Sequence, residues 1–159
     1  MRLCYGYPCG SAVKQVHIVV GIASIALVSV AGLWGAWCWY RGRASRTFWR
    51  LMRAGQTVVV LQAALGGVLL AEGKKEPSLH LIYGLLPIGV SFLAEQLRIA
   101  SAQAVLDARG YESAAAVGDL PEDEQRTIVV QIVQRELGVM VLAALVMAVL
   151  LWRAAVTAG

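Results

Sequence analysis

The stretch QVHIVVGIASIALVSVAGLWGAWCWY, residues 15–40, contains no charged side chain and decides the fold of this chain. A helix needs about 20 mostly apolar residues to cross a hydrocarbon core of about 30 Å, and this stretch is longer than that. It is also too long for the apolar part of a signal peptide, and its positive charges follow it instead of preceding it. The stretch therefore predicts a transmembrane helix that stays in the mature protein.

Three further uncharged stretches follow the first one. They lie between Arg53 and Glu72, between Glu76 and Glu95, and between Glu136 and Arg153. None has the two-residue alternation of barrel strands, and lipid offers no hydrogen bonds to an unpaired backbone. We therefore predict an all-α integral membrane four-helix bundle, a single transmembrane domain over residues 1–159. Its helices are expected at about 16–40, 49–71, 78–108 and 121–152.

The composition agrees with a membrane protein. The chain has 159 residues, of which 58% are hydrophobic and 15% charged, whereas a soluble domain carries about a quarter charged residues. Such a composition argues against a soluble domain and against a disordered chain, which would be rich in charge.

The positive charges predict the orientation. Five arginines and no acid follow the first helix: Arg41, Arg43, Arg46, Arg50 and Arg53. Positive loops stay in the cytoplasm, so both termini are expected outside a bacterial-type plasma membrane. Aromatic residues crowd the same boundary, at Trp34, Trp37, Trp39, Tyr40 and Trp49. The net charge of +4 is thus explained by topology and anionic lipid, and we do not expect a nucleic-acid partner.

The third and fourth helices are expected to extend beyond the membrane as a cytoplasmic hairpin. Residues 94–108 are rich in good helix formers. Asp119 is a candidate N-cap before Pro121 and three acids, a pattern typical of a helix start. The acids of this region form either a solvated face or a surface that docks a partner.

The only two histidines lie at equivalent places. His17 is at the predicted outer end of the first helix and His80 at the outer end of the third, and glycine follows each by four residues, at Gly21 and Gly84. Residues four apart share a helix face, so each glycine leaves room beside an imidazole. A single histidine at this depth is typical of a polar interfacial residue. The matched pair instead favours bis-histidine ligation of a haem b in the bundle core.

The second helix adds Gln62, Gly66 and Gly67 at about the same depth. A zinc site is less favoured, because zinc would need a third or fourth ligand nearby. We therefore take His17 and His80 as the candidate iron ligands.

The run Gln62-Ala-Ala-Leu-Gly-Gly67, between the two histidines, resembles one four-helix half of the haem A synthase family. The likeness covers about residues 4–90 and includes the segment Cys4-Tyr-Gly-Tyr-Pro-Cys9. It implies that His17 and His80 are the axial pair and that residues 62–67 border the macrocycle.

The chain departs from that family in two ways. It has one half instead of two, and Lys14 stands where the family has an acidic residue. Lys14, Lys74 and Lys75 are therefore candidate partners of the haem propionates. A role in electron transfer or haem handling is expected in place of the synthase oxidation.

Cys4 and Cys9 are expected on the oxidising outer side. Gly6 and Pro8 favour a turn that can bring the two together. A disulfide, two free thiols and a thiol redox pair all remain open.

Near the inner end, Gln131, Arg135 and Glu136 can pair with Glu95 and Arg98. Such pairing is either helix-to-helix contact or part of a quinone head-group site. The sequence thus favours a membrane haem protein that is not a stand-alone enzyme, beside a respiratory or assembly complex. The alternatives are a cofactor-free structural or assembly subunit and a quinone-linked membrane enzyme.

Overall fold

A computed structural model describes residues 9–73 and 77–158, with side chains from residue 12 onward. The helices are α1 (Cys9–Tyr40), α2 (Arg46–Ala71), α3 (Ser78–Asp107), α4 (Ala114–Val117) and α5 (Glu122–Val156). The described ranges contain no strand. The four long helices are each long and apolar enough to cross a membrane. The prediction of an all-helical, multi-pass membrane protein is confirmed at this level.

Helix α5 is the centre of the bundle. It packs along both α1 and α3, and α1 also packs along α2, whereas α2 and α3 contact each other much less. Buried residues of α5 include Leu137, Met140, Val141 and Met147, and they join Phe48 of α2 in one core. The bundle is therefore closed around α1 and α5 and open between α2 and α3.

Two glycines allow the closest approach in the closed part. A Cβ at Gly35 would lie 2.5 Å from the Phe48 ring and 2.7 Å from Val141. A Cβ at Gly138 would lie 2.9 Å from the Trp39 ring. Since carbon atoms pack at about 3.5–4.0 Å, a side chain at either position would push the helices apart.

Several helix ends differ from the sequence prediction. Helix α1 already begins at Cys9, and α2 begins at Arg46 because the Ser45 hydroxyl caps it, accepting from the Phe48 N–H at 3.2 Å. The prediction of Asp119 as the N-cap of the last helix is wrong. Pro121 holds that position, and no side chain caps the helix.

A second, smaller core lies between the C-terminal end of α3 and the N-terminal end of α5. Gly110 has a φ of 78°, and the Tyr111 N–H donates to the Leu106 carbonyl at 3.0 Å. This reversal ends α3 in the way that a C-terminal glycine usually does. Val105, Leu106, Val117 and Ile128 form the buried cluster, against which Tyr111 packs. The segment 108–121 is thus folded against the ends of both helices.

Candidate functional site

The bundle brings the two histidines together. The ring centroids of His17 on α1 and His80 on α3 lie 6.1 Å apart, and the ring planes meet at 68° in an edge-on arrangement. Both side chains are partly buried. Because α1 and α3 are not neighbours in the bundle, this contact crosses its interior.

A backbone carbonyl at the end of α5 orients His80. The His80 Nδ1 lies 2.8 Å from the Ala154 oxygen, so Nδ1 carries the proton and donates. That carbonyl has no backbone donor, because the Ala158 N–H bonds to Ala155 instead, and it also accepts from the Thr157 hydroxyl at 3.1 Å; a carbonyl oxygen can accept both bonds. In a ring protonated at Nδ1 alone, the lone pair lies on Nε2, the nitrogen suited to bind a metal.

The side chain of Gln62 orients His17. The two Nε2 atoms lie 3.2 Å apart, and the amide donates to the imidazole nitrogen. The amide fits because Gly21 has no side chain; a Cβ there would lie 2.8 Å from the Gln62 nitrogen. A Cβ at Gly66 would lie 3.4 Å from His17 Cε1. The sequence predicted that Gly21 leaves room beside the His17 imidazole. In the structure the Gln62 amide occupies that room.

The centroid distance can be compared with what a shared metal ion would require. If both ring nitrogens faced one ion from opposite sides, with metal–nitrogen bonds of about 2.0 Å, the two centroids would lie about 6 Å apart. Within residues 9–73 and 77–158, no three His, Cys, Asp or Glu residues are grouped to hold a metal ion. A haem needs no more than two ligands from a protein, so His17 and His80 would be sufficient to hold one.

The other predicted site residues lie in different surroundings. A Cβ at Gly84 or at Gly67 would meet no heavy atom within 4 Å, so open space borders both positions. Lys14 is exposed, one turn before His17. Lys74, Lys75 and Cys4 lie outside the described residues, and of Cys9 only the backbone is described.

A second polar cluster lies at the other end of the bundle. Arg53 of α2 donates two hydrogen bonds to the Glu95 carboxylate of α3, at 2.7 and 3.2 Å. Arg98 lies 3.2 Å from the same carboxylate and 3.6 Å from that of Glu136 on α5. The predicted pairing of Glu95, Arg98 and Glu136 is therefore present, but Gln131 bonds to Arg109 instead.

Two members of this cluster were missed from the sequence. Gln56 donates to the Ser91 hydroxyl at 2.8 Å and to Glu95 at 3.2 Å. Their spacing in the sequence could have indicated them. Gln56 follows Arg53 by three residues and Ser91 precedes Glu95 by four, so each pair shares a helix face.

A cleft of about 380 Å³ opens between α2 and α3 beside this cluster. Arg53, Gln56, Ser91 and Glu95 line its polar part. The remaining lining residues are Thr57, Val59, Val60, Ile88 and Phe92. The open side of the bundle thus contains a partly polar cavity.

Searches of protein-family models, of curated proteins and of solved structures found no match to this chain.

Proposed function

We propose that this chain is a membrane protein that binds one haem b between His17 and His80 and serves in electron transfer or haem handling at the outer face. The observation that carries the proposal is the proximity of the only two histidines, whose ring centroids lie 6.1 Å apart on helices that are not neighbours. The resemblance of residues 62–67 to the haem A synthase family supports the same cofactor.

The residues around the pair have distinct roles in this proposal. The Ala154 carbonyl fixes the ring of His80 and makes its Nε2 a better ligand, as hydrogen-bonded partners of metal-binding histidines do. Gln62 holds His17 in place and has to rotate away before that nitrogen binds iron. Lys14, Lys74 and Lys75 would neutralise the propionates. Bound haem would supply one-electron redox chemistry.

The proposed orientation rests on the arginine-rich segment that begins at Arg41. It places this segment, the 108–121 region and the charged cluster on the cytoplasmic side of a bacterial-type plasma membrane. Both termini and the histidine pair are then outside. The exposed end of the α3–α5 pair would be available to a respiratory or assembly complex.

An absorption spectrum of the purified full-length protein, oxidised and then reduced, tests the cofactor. We expect a Soret band and sharp reduced bands after expression with sufficient haem, and loss of both in His17→Ala and His80→Ala. Gln15→Ala is the matched control, since Gln15 is exposed on the same helix. No Soret band in the wild type, or a full band in both histidine variants, would refute the proposal.

One observation favours a second candidate, a cofactor-free structural or assembly subunit. His17 and His80 both have hydrogen-bond partners within the protein, in Gln62 and the Ala154 carbonyl. Each can therefore join two helices without any metal. In that case the spectrum shows no haem, and both alanine variants lose thermal stability.

A further inference from the structure

We propose that the cleft between α2 and α3 binds an isoprenoid quinone, with the head group against Arg53 and Ser91 and the apolar tail leaving between the helices. This site lies apart from the histidine pair and does not depend on haem binding.

The shape of the cleft suits an amphiphile. Its volume of about 380 Å³ lies within the range of about 300–1,000 Å³ that is usual for small-molecule sites. Val59, Val60, Ile88 and Phe92 supply apolar walls, and the Phe92 side chain is largely exposed. Since α2 and α3 contact each other little, a tail can pass between them into the lipid.

The polar part of the cleft offers hydrogen-bond donors. The Ser91 hydroxyl accepts from Gln56 and keeps its own hydrogen to donate. The Arg53 guanidinium has five N–H groups, and its bonds to Glu95 and Gln56 leave others for a ligand. Its side chain is 53% exposed. Quinone carbonyl oxygens are acceptors, so they match these donors.

The charges of the cluster favour a neutral head group over a phosphate. Arg53 and Arg98 are matched by two carboxylates, Glu95 and Glu136, within 2.7–3.6 Å. These four charges sum to zero, so no cation within the cluster is left over to attract a phospholipid phosphate. A neutral carbonyl ligand can bind without disturbing these pairs.

Binding of a short-chain menaquinone to the full-length protein in phosphatidylcholine nanodiscs tests the proposal, with tryptophan quenching as the readout. We expect saturable binding that weakens at least tenfold in Ser91→Phe, which fills the cleft, and about threefold to tenfold in Ser91→Ala, which only removes the hydroxyl. Ile99→Phe is the control for added volume, because Ile99 is exposed on α3 and does not line the cleft. It should bind as the wild type does.

Three results would overturn the proposal. One is non-saturable binding, and another is equal binding by the wild type and the folded Ser91→Ala protein. The third is competition by added phosphatidylglycerol, which would assign the cleft to lipid. His17→Ala and His80→Ala should keep menaquinone binding, so failure of the haem proposal leaves this one intact.

Discussion

Glycines lie in opposite surroundings on the closed side of the bundle, around α1 and α5, and on its open side, at α3. Around α1 and α5, Gly35 lies so close to Phe48 and Val141 that a Cβ would overlap both. On α3, Gly84 and Gly89 have no heavy atom within 4 Å of where a Cβ would be. The first side has no room left, while α3 borders open space at both glycines and, at other residues, the cavity that it shares with α2.

The closed side stabilises the bundle, whereas the open side contains the cleft in which a ligand can bind. The closed side is stabilised by apolar burial and close helix contact. The open side is joined by polar bonds from α2 to α3, chiefly that of Arg53 with Glu95. Packing between small residues drives helix association in lipid, whereas intramembrane polar groups tend to mark functional sites.

The largest expected effect is on the closed side. Gly35→Ala should reduce the free energy of unfolding by about 3 kcal/mol, because the methyl group must displace a buried ring. Denaturant unfolding in detergent measures this change. Gly89→Ala is the matched control, and it should leave the protein equally stable or stabilise it by up to about 1 kcal/mol through helix propensity. Equal stability of Gly35→Ala and the wild type would remove the contrast between the two sides.

On the open side, Glu95→Gln should reduce the free energy of unfolding by about 2 kcal/mol, because Arg53 and Arg98 both lose the negative charge with which they pair. The same unfolding measurement applies. A double variant with Arg53→Gln should lose less than the sum of the two single changes, as expected of coupled groups. Strictly additive losses would show that the pair does not join α2 to α3.

A smaller effect is expected at the histidines. Gln62→Leu should cost the haem-free protein about 1 kcal/mol by removing the bond to His17. It should also tighten haem binding by about fivefold, because the Gln62 amide no longer competes for His17 Nε2. Haem titration and thermal unfolding measure the two effects, with Gln15→Leu as the control. Weaker haem binding by Gln62→Leu would contradict the role of Gln62 as an occupant of the ligand position.

The smallest effect concerns Tyr111, beyond the membrane-spanning segments. Partial burial and the nearby Glu124 carboxylate, 3.3 Å from the hydroxyl, raise the pKa of Tyr111. The folded state therefore favours the neutral phenol. This stabilisation is complete below about pH 10, the unfolded pKa, and is lost as the pH rises through the folded pKa.

Tyr111→Phe lacks this stabilisation, so it should melt slightly below the wild type at pH 7 and show a smaller alkaline fall in Tm. Melting curves between pH 7 and 11 measure the difference, with the exposed Tyr40→Phe as the control. Parallel curves for Tyr111→Phe and the wild type would contradict the prediction.

The sequence was sufficient to predict the four long helices, because long apolar runs without charge are typical of membrane-spanning helices. Placing His17 and His80 at one depth followed from helix direction alone, and the structure puts their rings in contact. The partners of the rings were harder to foresee. The acceptor for His80 is a backbone oxygen at Ala154, which has no side-chain signature. The fit of Gln62 into the gap at Gly21 depends on how α1 and α2 cross.

The bond between Arg53 and Glu95 has a consequence for how the chain enters the membrane. An unpaired charge is costly where a helix enters the lipid, and the partner of each of these two charges lies on the adjacent long helix along the chain. If α2 entered by itself, its arginine would have no carboxylate to pair with. We therefore expect α2 and α3 to insert as a pair, because each charge then offsets the cost of the other.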